Sequence, residues 1–282
     1  RKESSAASDV YKRQSLRTPA LRCPGLFELA FGQRYRQRFP EGLKLPVNRS
    51  RLRHDYRAAS PALARLDIRL DLGELPDVSV LTAPIRQLSE VVDRAVGDIS
   101  AYSRYIAKNP AEAGEMDALL LLPEALWPSQ VRQCLFHLRD RLHDGAWSTS
   151  LRDLWRRLRL RSAITRPRLL EILSVLAGQG MLMAPDVLSG ARMPRSDEPV
   201  VLFEAGIGHD QQTNSPAFQA ALLTMHLAAS VAAADGAFNA SELEQLLGQL
   251  AVWTHLSDSE RRRLQAHVRL MRQAPQNLAS LN

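Results

Sequence analysis

The stretch from Thr165 to Glu204 constrains the fold more than any other, because its hydrophobic period changes part-way along. TRPRLLEILSVLAGQG (165–180) reads as a helix, capped at its start by Thr165 and stopped by glycine. MLMAPD and PVVLFEA then read as two short strands on either side of a turn-rich loop, LSGARMPRSDE. Upstream, Val131, Leu135, Leu138 and Leu142 recur at spacings of three and four and mark a helix that begins near Pro128. A further helix covers about 150–160.

Helix, helix, hairpin is the order of a winged helix. Closer to the N-terminus, LDIRLDL (66–72) alternates apolar and charged residues and predicts a half-buried strand, and Leu43, Leu45 and Val47 alternate in the same way. An amphipathic helix spans roughly 83–107 and ends at AKNP, where Pro110 blocks continuation. Polar residues with glycine and proline at 206–215 read as a linker. Beyond it every stretch reads as helix. Ser215 and Pro216 make a helix start, Phe218, Leu222, Met225, Ala229 and Ala232 form one stripe, and Leu264, Val268 and Met271 begin another. The expected class is therefore α+β, mainly helical: a domain with short strands over 15–205, then a shorter all-helical domain over 216–282.

Residues Ser4–Gln14, SSAASDVYKRQ, resemble a translated sequencing adapter in all eleven positions, so residues 1–14 are set aside from fold reasoning. The natural chain is expected to start at Ser15, and the helical domain is expected to be cut short at its other end. Without that segment the chain carries 33 basic and 28 acidic residues, net +5, which is not the balance of a dedicated nucleic-acid binder. Cys23 and Cys134 stand far apart and form no CxxC, which fits a reducing, cytoplasmic setting. The longest apolar run, ALLLLP, falls well short of the roughly 20 residues of a membrane helix, so no membrane insertion is expected.

Two local patterns bear on chemistry. ADGAFNASELE (234–244) matches the second half of a calcium-binding loop, with Asp235 and Glu242 as the metal-ligand candidates and Gly236 at the bend. The same residues also make a plain capping arrangement, in which Asn239 and Glu242 serve the next helix as Ser257 and Glu260 serve theirs. The second pattern is an arginine run next to the possible winged helix. Arg156, Arg159, Arg166 and Arg168 are its candidate phosphate contacts, with a solvated basic helix face as the simpler reading. No HExxH, P-loop, GxGxxG or Gly-x-Ser-x-Gly occurs, the histidines offer no metal spacing, and Cys134 on its apolar helix reads as buried, so the residues support no catalytic role.

FGQRYRQRFPEGLKLPVNRSRLRHDYRAAS (31–60), AYSRYIAKNP, LLLLPEALW, APDVLSG and PVVLFE, in that order, resemble the TerB N-terminal domain of bacterial tellurite-resistance (Ter) proteins. HLAASVAAADGAFNASELEQL (226–246) resembles the opening of a TerB domain. The resemblance implies an all-helical second domain and a divalent ion, calcium or magnesium, with Asp235 and Glu242 among its ligands. It also implies a non-enzymatic, cytoplasmic stress-response role with other Ter proteins as partners. Nucleic-acid binding through 150–204 is the alternative.

Overall fold

The computed structural model describes residues 17–51, 54–56, 68–70, 75–142, 145–205, 215–234, 248 and 256–273. The architecture is α+β and mainly helical, with a small three-stranded antiparallel sheet. It divides into two units: Arg1–Pro110 with Leu121–Leu126, and Ala111–Leu120 with Trp127–Asn282.

Three α-helices are described in the first unit. α1 (Thr18–Arg22) leads into α2 (Pro24–Arg38), and after an antiparallel strand pair, β1 (His54–Tyr56) with β2 (Ile68–Leu70), comes α3 (Thr82–Lys108). The amphipathic pattern expected over 83–107 is α3. Its Val91, Ala95, Ile99 and Tyr102 recur at spacings of four, four and three and are buried. α2 carries Phe27, Phe31 and Tyr35 one turn apart and ends at Phe39, with ring centroids 5.3–6.1 Å from one to the next. Arg34 on α2 forks onto Asp98 of α3, both N···O distances being 2.7 Å, and Arg22 donates to the carbonyl and hydroxyl of Ser103.

The alternation of Leu43, Leu45 and Val47 does not make a strand. Residues 42–50 run without a ladder, and Val47 is 99% exposed, so alternation here has no core on either side to serve. The strand expected at 66–72 is present at its centre, Ile68–Leu70, opposite the unforeseen His54–Tyr56.

The second unit runs α4 (Met116–Leu119), α5 (Ser129–Asp140), β3 (Ala146–Ser150), α6 (Leu151–Arg157), α7 (Arg166–Gly178), β4 (Met181–Ala184), β5 (Pro199–Glu204), α8 (Pro216–Ala234) and α9 (Asp258–Gln273). β5 lies between the other two strands and pairs antiparallel with both, in register Ser148↔Val201 and Met183↔Leu202. Helix, strand, two helices and a hairpin, with the first strand beside the last, is winged-helix connectivity. The segment expected to be helical over 150–160 is shorter because Ser150 is its cap: the hydroxyl oxygen accepts from Asp153 N at 3.0 Å, which frees 146–150 to be a strand.

β5 explains why PVVLFE reads as a continuous apolar run. Val200, Val201, Leu202 and Phe203 are all buried, because the sheet is covered on both faces. On one face Val201 and Phe203 meet Ala266 and Leu270 of α9. The opposite stripe of α9, Leu264, Val268 and Met271, packs on Phe218 and Met225 of α8 with Leu256. Both helix starts are capped as the residues suggest. Ser215 accepts from Phe218 N at 3.0 Å, and Ser257 with Glu260 closes a reciprocal box at 2.9 and 3.3 Å. Asn239 with Glu242 of the expected capping arrangement lie outside the described residues.

One buried carboxylate holds the turn between α6 and α7. Asp117 of α4, its side chain 1% exposed, accepts from Arg161 N (2.7 Å), Ser162 N (3.3 Å), Ser162 Oγ (2.5 Å) and Arg168 Nη2 (3.2 Å). Removing it takes the acceptor from two amides and a hydroxyl and one carboxylate contact from the buried Arg168 guanidinium, which keeps Glu171 and the residue 117 carbonyl. Asp117→Ala is expected to cost about 3–5 kcal/mol in urea unfolding followed by tryptophan fluorescence. Lys44→Ala, at an exposed ion pair, is the control and should cost well under 1 kcal/mol. Equal effects would contradict the clamp.

Candidate functional site

The arginine-rich part of the second unit is not spread evenly over its surface. A groove of about 440 Å³ opens between α5 and α6. Cys134, His137, Leu138 and Arg141 line one side, and Asp153, Arg156, Arg157 and Arg159 the other. The spacing explains both walls: 134, 137, 138 and 141 fall on one helical face, as do 153, 156 and 157. Leu135 and Leu142 on the first element, and Leu151, Leu154 and Leu158 on the second, turn into the core.

Four guanidinium groups thus face one carboxylate. Of the four, only Arg156 is paired with a carboxylate among the described residues, Asp153 at 3.2 Å. Arg141 and Arg157 are held another way. Their guanidiniums lie over the Trp147 ring of β3, 5.9 and 5.1 Å from its centroid. Packing on an indole fixes a guanidinium plane without neutralising it, so its donors stay aimed at a partner of opposite charge.

Arg159 is placed by the backbone. α6 ends in a Schellman turn, with Leu160 N donating to Trp155 O at 3.1 Å and Arg159 N to Arg156 O at 3.0 Å. The residue in the left-handed position of that turn, φ 55°, is Arg159. Glycine takes this conformation without strain, and a side chain there costs about 1 kcal/mol. An arginine kept at a glycine position is better explained by what its side chain does than by what it contributes to the turn.

Cys134 sits at the floor of the groove, its Sγ 3.5 Å from Arg157 O. Burial pushes its thiol above the usual range, with Arg159 pulling the other way, so it stays protonated near neutral pH. The burial expected for Cys134 is only partial. Its neighbour Phe136 is not buried at all: it is 67% exposed, with its ring edge-on to His137 at 5.8 Å.

The residues named from sequence divide cleanly. Arg156 and Arg159 line the groove. Arg166 donates instead to Ala191 O in the β4–β5 loop at 3.3 Å. Arg168 lies inside, engaged with Asp117 and with Glu171 at 2.7 Å, so its charge serves the fold. Asp235 and Glu242 lie outside the described residues. Among the described residues no group of three or more His, Cys, Asp and Glu side chains could hold a metal ion. Arg157 belongs to the same basic run as Arg156 and Arg159, whereas Arg141, His137 and Trp147 carried no signal as a site, because their convergence needs α5, β3 and α6 to be brought together.

A second ionisable cluster joins α9 to the sheet side of the same unit. Arg263 pairs with Asp186 at 2.5 Å and lies over the Phe218 ring, while burial foremost pushes the nearby His267 down to about 4. A neutral imidazole behind a satisfied ion pair is a packing junction with little room, about 20 Å³, for a ligand.

No family model matches the chain, and no curated protein or solved structure matches it. Among the described residues no helix is long and apolar enough to cross a membrane.

The turn at Arg159 is directly testable. Arg159→Gly is expected to be more stable than Arg159→Ala by about 1 kcal/mol in urea unfolding, since only glycine relieves the left-handed conformation. Equal stabilities would contradict the turn.

Proposed function

We propose that this chain is a non-enzymatic binding module whose winged-helix unit holds an anionic, phosphate-bearing partner in the groove between α5 and α6. The observation that carries this reading is the convergence of Arg141, Arg156, Arg157 and Arg159 on a space that holds one carboxylate. Phosphate suits such a site because the guanidinium fork donates to two of its oxygens at once. The protonated thiol of Cys134 argues for binding over covalent chemistry.

Inorganic polyphosphate tests the reading, since it offers phosphate and nothing else. Its affinity for the full chain is expected to fall as salt rises. The triple variant Arg156→Ala, Arg157→Ala, Arg159→Ala is expected to lose more than tenfold at low salt, each charged hydrogen bond contributing about 1.5–3 kcal/mol. Undiminished binding by that variant would overturn the proposal.

The setting we propose for the module is a cytoplasmic, Ter-type stress-response assembly with other Ter proteins as partners. What supports it is the ordered resemblance over about 26–204 and again over 226–246. On that reading Asp235 and Glu242 contribute to a divalent-ion site of calcium or magnesium type. Calorimetry with Ca²⁺ and Mg²⁺ tests it: Asp235→Ala and Glu242→Ala should each weaken binding at least tenfold. An unchanged affinity in both variants would remove the metal assignment.

A further inference from the structure

We infer that the partner of the groove is single-stranded nucleic acid, an inference that rests on the phosphate-binding reading above and names its ligand. The surfaces by which a winged helix ordinarily meets a duplex are poorly furnished here. α7, which occupies the position of a recognition helix, exposes Arg166, Pro167, Glu171 and Ser174, while Arg168 is turned inside. In the β4–β5 loop, Arg192 and Arg195 both meet Glu198, at 2.8 and 3.9 Å, with Asp197 alongside. Neither surface presents a clear excess of positive charge to a double helix.

The groove combines two other things. Its cations are held in place, Arg141 and Arg157 by Trp147 and Arg159 by the turn. Outside the groove lining, one residue before its rim residue His137 on α5, stands Phe136, two-thirds exposed and with its ring edge-on to His137. A large exposed aromatic next to a basic channel is the pairing by which proteins hold single strands, the arginines following the phosphates and the ring stacking a base. Arg132, one turn before Phe136 on the same helix surface, is a further exposed cation beside the ring, while Arg139 donates to the Gln179 carbonyl. An acidic peptide would satisfy the arginines but give Phe136 nothing to do. A single strand supplies a phosphate and a π face with every nucleotide.

Fluorescence anisotropy with a labelled oligothymidylate of about 12 nucleotides tests this on the full chain. Polyphosphate, a hairpin duplex of equal charge and polyglutamate serve as competitors. The single strand is expected to bind more tightly than duplex or polyglutamate. Phe136→Ala should weaken it about fivefold to a hundredfold with the salt slope unchanged, and Phe136→Trp should restore it. Because Phe136 is exposed, neither variant threatens the fold. If Phe136→Ala binds as the parent does while the arginine variants bind weakly, the groove reads phosphate alone, and this inference fails while the broader proposal stands. Tighter binding of duplex or polyglutamate overturns the inference in the same way. Absence of affinity for every polyanion overturns both.

Discussion

Asp117 is the interaction on which the second unit depends. A carboxylate buried to this degree is costly to desolvate, and the cost is offset only because every oxygen lone pair in reach finds a donor. Those donors come from the turn after α6 and from the first turn of α7: two backbone amides, one hydroxyl and one guanidinium. Arg168 reciprocates by donating to Asp117's own carbonyl at 2.7 Å. The indole of Trp155 closes the same turn from the other side, donating to Ser162 O at 2.8 Å. The clamp thereby fixes where α6 ends, and Arg159 stands two residues before the clamped pair, Arg161 and Ser162. One buried acid thus sets the geometry of a surface site it does not touch.

That arrangement separates two kinds of arginine that look alike in sequence. Arg168 is held by acids, lies inside and is spoken for by the fold. Arg157 is held by an indole, stands at the surface and keeps its charge uncompensated among the described residues. Spacing alone cannot distinguish them, since both sit on short helices within a dozen residues of each other. What distinguishes them is whether a carboxylate from a distant element arrives, and Asp117 arrives from some fifty residues away in the chain.

Much of the fold was legible because it is local. The long stripe of α3, the caps at Thr165, Ser215 and Ser257, and the doubly apolar β5 follow from period and capping chemistry alone. The helical α2 escaped notice because its stripe is aromatic and interleaved with arginine, so that its apolar face is not the aliphatic one that periodicity picks out most readily. β3 escaped because AWSTS has no alternation of its own. It is a strand because Val200 to Phe203 lie opposite it. Of the site, Arg156 and Arg159 were visible as members of a basic run. Arg141, Trp147 and Phe136 were not, because their roles appear only when α5 and β3 are placed against α6.

The central claim is that Arg141, Arg157 and Arg159, in the groove between α5 and α6, are the cations that take the anionic partner. Arginine side-chain and indole resonances, followed by NMR while the single strand is titrated into the full chain, address it most directly. The account predicts that the Nε–H signals of Arg141, Arg157 and Arg159 and the indole N–H of Trp147 move together along one saturating curve, while Arg166 and Arg168 stay still. Shifts confined to Arg166, Arg192 and Arg195, with the groove resonances unmoved, would contradict it.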